Sequence, residues 1–189
     1  PVNTRGGPVA ICHRPLFPHA AEAFTFTFWY RLELDQPELM VAFNAASVQL
    51  LLNERGLEVR VENSLEAPRL IQFQPGAQGP YSAWRAPGVW IFCAVSWDRH
   101  TNTATFHQGT DRHTTQYVRA ISRPGPVPPS LPRVDLSRQP EVIGNNHVSP
   151  AERPLAGRLD NLRFFTAVLD AETIETIRRA DLAHSALLP

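Results

Sequence analysis

Glu33, Asp35 and Glu38 fall within one short run, Glu33-Leu34-Asp35-Gln36-Pro37-Glu38. Alternate residues of a strand share a face, so Glu33 and Asp35 would point the same way, and a bulge would bring Glu38 beside them. Three carboxylates lining one cleft can act as nucleophile, helper and general acid on a glycosidic bond. Pro37 opposes that placement, because proline donates no N–H to a central strand. A solvated acidic turn accounts for the same residues.

A second group is Tyr81, Trp84 and Arg85 in the stretch PYSAWRAPG. Aromatic rings stack on the apolar faces of sugars, and an arginine beside them can donate to hydroxyls. A loop tryptophan packed back onto the body of the domain is the other reading. His107 and His113 flank one turn and can face each other across a hairpin. Zinc takes three or four convergent ligands, and no third lies nearby, so packed or surface histidines are expected. Asp160 stands inside an apolar run, Leu159-Asp160-Asn161-Leu162. Asp is depleted in strands, and a buried carboxylate needs a partner. The chain has no G-x-S-x-G elbow, phosphate loop or dinucleotide glycine pattern.

The elements that must position these residues read as short strands. In Phe24–Leu34 the residues Phe24, Phe26 and Phe28 alternate with Thr25, Thr27 and Trp29, the pattern of a strand with two different faces. Val89–Trp97 is almost continuously apolar, as expected of a strand in the middle of a sheet with both faces covered. Shorter strands are expected at Val9–His13, Leu39–Phe43, Ser47–Leu52, Leu57–Val61, Leu70–Phe73, Thr103–Gln108, Thr114–Ile121 and Glu141–Gly144. The last falls in 159–165. Arg123–Pro132 is too rich in proline to pair centrally. Asp170 reads as an N-cap, and Ile174 and Ile177 give the following helix, near 170–181, one apolar face. Ten to twelve strands at this spacing and one late helix predict an all-β, two-sheet antiparallel jelly-roll sandwich, a single domain over 1–189. Phe26, Phe28, Trp90, Phe92, Val95, Phe106, Leu162 and Phe164 are the expected core, although they include residues from both faces of their strands.

Composition narrows the function. The 18 basic and 18 acidic residues balance, and every basic residue is arginine. Nucleic acid and anionic membranes select a basic excess, so neither is the expected partner. No apolar run approaches a membrane span, and no membrane insertion is expected. The chain opens at Pro1 and holds one Met, the expectation being a processed or excised segment with any signal peptide outside it. Cys12 and Cys93 can form one disulfide or remain two buried thiols, and the thiol reading is preferred.

Three segments carry a resemblance, in order. FTFTFWYRL resembles an early strand of laminin-G-like domains in the concanavalin A-like lectin/glucanase superfamily. VWIFCAVSWDRHTNTATFHQG resembles that family's central hairpin, with matches at Trp90, Ala94, Asp98 and Gly109. VIGNN followed by GRLDNLRFFTAVLDAETIETI is similar to its closing block, with matches at Gly144, Gly157, Leu159, Asp160, Arg163, Phe165 (an aromatic where the family commonly has Tyr), Leu169 and Ile174, and departures at Asn161 and at Phe165-Thr166, where Tyr-Asn is common. The resemblance implies a concanavalin A-like jelly roll, most often a non-catalytic module of an extracellular or cell-surface protein that binds glycan or protein through loops at one edge. It also implies a structural calcium ion on Asp160, with backbone oxygens from the Val2–Val9 arm, Asn3 among them. Arginine pairing or backbone hydrogen bonding of Asp160 is the competing expectation. The 33–38 run resembles the catalytic motif of one glycoside hydrolase family in the same superfamily, but Gln36 stands where that motif has an apolar residue. The enzyme is therefore the alternative, together with a purely structural spacer.

Overall fold

A computed structural model describes residues 10–12, 22–33, 40–44, 48–53, 56–61, 71–73, 86–122, 141–144 and 155–184. These hold eleven strands and one helix: β1 (Ala10–Cys12), β2 (Ala23–Leu32), β3 (Met40–Asn44), β4 (Val48–Asn53), β5 (Gly56–Val61), β6 (Ile71–Phe73), β7 (Trp90–Asp98), β8 (Thr103–Thr110), β9 (Gln116–Ser122), β10 (Glu141–Ile143), β11 (Gly157–Phe165) and α1 (Ala171–His184). One sheet runs β1-β10-β3-β4-β5-β6 and the other β11-β2-β7-β8-β9. All named pairings are antiparallel.

The two sheets enclose one core. Phe24, Phe26, Phe28, Tyr30 and Leu32 of β2 face Phe43, Val48, Leu50, Leu52, Leu57 and Val59 of the six-stranded sheet. Alternation then sends Thr25, Thr27 and Trp29 outward. In β7 the inward set is Ile91, Cys93, Val95 and Trp97, while Phe92 and Ala94 pack outward with Trp29 against Ile174 of α1. β7 is third of five strands and is covered on both faces, which explains its continuous apolar run. Of the expected core, Phe26, Phe28, Phe92, Val95 and Phe106 are buried. Trp90, Leu162 and Phe164 are only partly buried against the two clusters.

The closing strand departs from strict alternation for a visible reason. Leu159 and Leu162 both pack on the inner core although they are three residues apart. A bulge between Asp160 and Arg163 inserts one residue, with Asn161 in the left-handed region at φ 49°. The Asp160 carboxylate accepts the Asn161 N–H at 2.7 Å and so stabilises the turned backbone. Without that inserted residue, Leu162 and Phe164 would point outward.

α1 lies across the outer face of the five-stranded sheet. Asp170 caps it by accepting the Thr173 N–H at 2.7 Å. Asp181, in its last turn, accepts the Trp29 indole N–H at 2.9 Å and is paired by Arg163.

Candidate functional site

Three strand ends meet where β2 finishes and β7 and β11 begin. The Gly88 N–H donates to Leu32 O at 2.7 Å, and the Glu33 N–H donates to Ala156 O at 2.9 Å. Leu32 also bridges Pro87. At Gly157 a Cβ would overlap the Arg31 carbonyl oxygen, so glycine is what lets β11 start this close to β2.

Register then sets a row across three strands. Arg158 lies opposite Arg31, and Arg31 lies opposite Trp90. Opposed residues share a face, so the two guanidiniums and the indole stand side by side on the outer face of this sheet. Glu33 follows with the same outward parity. Its Oε1 is 3.1 Å from Arg158 Nε and 3.9 Å from Arg31 Nε. Neither Glu33 Oε1 nor Arg31 Nε makes a hydrogen bond, and both atoms are buried. The Arg158 side chain is 49% exposed against 27% for Arg31, so Arg158 is the outer member of the pair. Gly88 borders the row at φ 76°, and an added Cβ there would meet nothing within 4 Å. Among the described residues the site is a shelf on strand ends, built from charged donors, one carboxylate and a partly buried indole.

Of the sequence candidates, Glu33 is in this row. Asp35, Glu38, Tyr81, Trp84, Arg85 and Asn3 lie outside the described residues. His107 and His113 do not form a pair of ligands. His107 is buried with its ring edge-on to Tyr117, centroids 5.7 Å apart, and burial lowers its pKa and favours the neutral ring. His113 Nδ1 is instead 3.0 Å from Thr110 Oγ1. Among the described residues no three His, Cys, Asp or Glu side chains gather around a common point. Asp160 offers one carboxylate, with Oδ1 already accepting the Asn161 N–H. Cys93 is a free, buried thiol, and the side chain of Cys12 lies outside the description.

Arg31, Arg158 and Trp90 are the residues that sequence reasoning missed as a group. Each was visible in a strand-like segment. Only the register of β2 with its two neighbours places them together.

A second polar cluster ties α1 to the β8–β9 hairpin. Arg178 donates to Thr110 O at 2.6 Å and to Glu175 at 2.9 Å. Glu175 also accepts the Thr115 N–H at 2.7 Å and a bond from Arg179 at 2.9 Å. The Arg178 guanidinium, with Thr115 and Arg179 after it, holds the Glu175 carboxyl far below the usual glutamate range. This cluster seats the helix.

A two-sheet antiparallel jelly roll with a helix closing one outer face is the architecture of a lectin-like sandwich. A laminin G-type family profile, described as the Concanavalin A-like lectin/glucanases superfamily, matches residues 3–175, and the chain belongs to that superfamily. No curated protein matches it by sequence. Among solved structures, a Bacteroides ovatus protein assigned as carbohydrate-binding is similar over 87% of this chain and 43% of its own, with TM-score 0.60 and 13% identity. The binding domain of Paraclostridial Mosquitocidal Protein 1 is similar over 84% of this chain and 37% of its own, with TM-score 0.57 and 13% identity. The Ruminococcus gnavus IT-sialidase CBM40, bound to alpha2,3 sialyllactose, is similar over 84% of this chain and 83% of its own, with TM-score 0.56 and 11% identity. The chain spans under half the length of the first two. Likeness at this identity is likeness of fold.

Proposed function

We propose that this domain is a non-catalytic recognition module of an extracytoplasmic protein, and that it binds glycan at the edge where β2, β7 and β11 meet. The observation that carries the reading is the Arg158–Arg31–Trp90 row with Glu33 held against it. Directional donors and one carboxylate beside an aromatic ring are the groups that hold sugar hydroxyls and the apolar face of a pyranose. They sit on strand ends, where their geometry is pre-set and little ordering entropy is lost on binding. Carbohydrate-binding neighbours of the same fold support the reading. Tyr81, Trp84 and Arg85 are proposed as further ligand-binding residues, on the chemistry of their side chains.

The alternative, glycoside hydrolysis by Glu33, Asp35 and Glu38, has one of its three carboxylates already engaged by Arg158. A calcium ion on Asp160 is a separate proposal. The Asp160 carboxylate is a hard oxygen ligand that fits calcium, but it is one ligand of the six to eight that the ion takes. The others would come from residues 2–9.

A glycan array incubated with the whole chain tests the main reading. Binding to a subset of glycans, weakened in Trp90→Leu, is expected. A blank array would leave the domain as a spacer or a protein-binding module. Release of reducing sugar from any bound glycan would restore the enzyme.

A further inference from the structure

We infer that the ligand of this shelf is an acidic glycan, one carrying a carboxylate on the sugar that reaches Arg158. This deepens the glycan-binding reading and rests on it. The reasoning starts from unused donors. A guanidinium has five N–H donors in a planar fork, and its two terminal nitrogens match the two oxygens of a carboxylate. Arg158 spends only Nε on the protein, at 3.1 Å from Glu33. Among the described residues the Arg158 guanidinium makes no hydrogen bond and no other ion pair, which leaves both terminal nitrogens of a half-exposed side chain for a ligand. Arg31 stands beside it on the next strand, with Nε buried and without a hydrogen bond. Among the described residues one carboxylate, Glu33, faces the two guanidiniums. Asp160, the next outward residue of β11, turns its Oδ1 to the backbone N–H of Asn161 instead.

Neutral sugars do not need this surplus. Hydroxyls are satisfied by amides, hydroxyls and backbone groups, whereas a partly dehydrated arginine pair gains most from an anion. Glu33 has a definite part in such a site. Its ion pair is with Arg158 Nε, which leaves the terminal nitrogens of the fork for the ligand. It is a positioning residue, and it also repels a ligand carboxylate that approaches too deeply. Trp90, on the same row and partly buried against the cluster under α1, offers the exposed part of its indole to the apolar face of the same sugar. The same donors would accept a sulfate ester. The planar, two-oxygen match favours the carboxylate.

The test is an array carrying uronic- and sialic-acid oligosaccharides, each printed beside its carboxyl-reduced form, with sulfated glycans as a further set. The whole chain is used as wild type, Arg158→Gln and Arg158→Lys. Carboxylated glycans should bind, and their reduced forms should bind about tenfold more weakly, the loss of a charge-assisted pair. Arg158→Gln should erase that discrimination while its thermal midpoint stays at the wild-type value. Arg158→Lys, a point charge without the fork, should recover part of it. Equal binding of each glycan and its reduced form would overturn the acidic-ligand inference and leave glycan binding standing. Preference for sulfated over carboxylated glycans would overturn the carboxylate assignment. A blank array would remove the glycan reading and this inference together. Discrimination that persists in Arg158→Gln would place the anion site elsewhere.

Discussion

Arg178 of α1 crosses β8 directly over Gly109, so closely that a Cβ built on Gly109 would lie 2.9 Å from Arg178 Cδ. The same Cβ would come within 3.3 Å of His113 O and of Thr115 Cα. Arg178 cannot swing aside freely, because its guanidinium is bonded to Thr110 O and Glu175. Gly109→Ala should therefore overpack the seam and cost about 1–3 kcal/mol. Thermal or urea unfolding measures it, and a variant as stable as wild type would mean that the helix sits more loosely than its contacts imply.

Glu175 gives the seam a pH dependence with a definite sign. Its folded pKa lies below its ordinary value of 4.5, chiefly through Arg178. A carboxyl depressed in the folded state contributes stability above the unfolded pKa and loses it as pH falls towards the folded one. Wild type should thus lose thermal stability below about pH 4.5. Glu175→Gln should be less stable than wild type at pH 7, with the gap narrowing as the pH drops from 4.5. Parallel curves over that range would show that Glu175 does not carry the dependence.

Trp29→Phe isolates the buried bond between β2 and the end of α1. It keeps an aromatic ring under the helix and removes the indole N–H that Asp181 accepts at 2.9 Å. Arg163 still pairs the carboxylate, so the loss is one hydrogen bond to a charged group, about 1.5–3 kcal/mol. A companion variant, Phe28→Ala, opens the inner core and should cost about 3–5 kcal/mol. Helix protection in amide exchange should fall in Trp29→Phe before the strands are affected.

Burial pushes the Cys93 thiol well above its ordinary pKa, partly offset by a hydrogen bond with Tyr30. Only the thiolate alkylates readily, so Cys93 should stay unlabelled in the folded protein at pH 8 and label fully in guanidinium. Peptide mapping separates it from Cys12. Rapid labelling of Cys93 in the folded state would indicate an opening of the β2–β7 core.

The calcium proposal at Asp160 is read by thermal unfolding with calcium and then with excess chelator. A rise of the midpoint with calcium in wild type, absent in Asp160→Asn, is the expected result. Identical wild-type midpoints would leave Asp160 as the residue that holds the bulge at Asn161.

Much of the architecture was readable because it depends on local pattern. Phe24, Phe26 and Phe28 alternate with threonine and tryptophan, and a period of two permits only a strand with two unlike faces. The nearly continuous run from Val89 to Trp97 announced a strand covered on both sides, and Asp170 announced the helix start. The bulge in the closing strand was not read from the sequence. Asp160 and Asn161 broke the apolar run, and the structure shows that they insert one residue so that Leu162 and Phe164 still face the core. What the residues alone did not reveal was the company that each outward side chain keeps. Arg31 and Arg158 are far apart in the chain, and a slip of one residue between β2 and β11 would send one of them to the opposite face. Glu33 read as part of an acidic run, and the fold instead sets it against two arginines from different strands. Local sequence determines the period of each strand and hence which residues share a face. Register between strands is decided by the whole packed core, and register alone decides which of those faces meet.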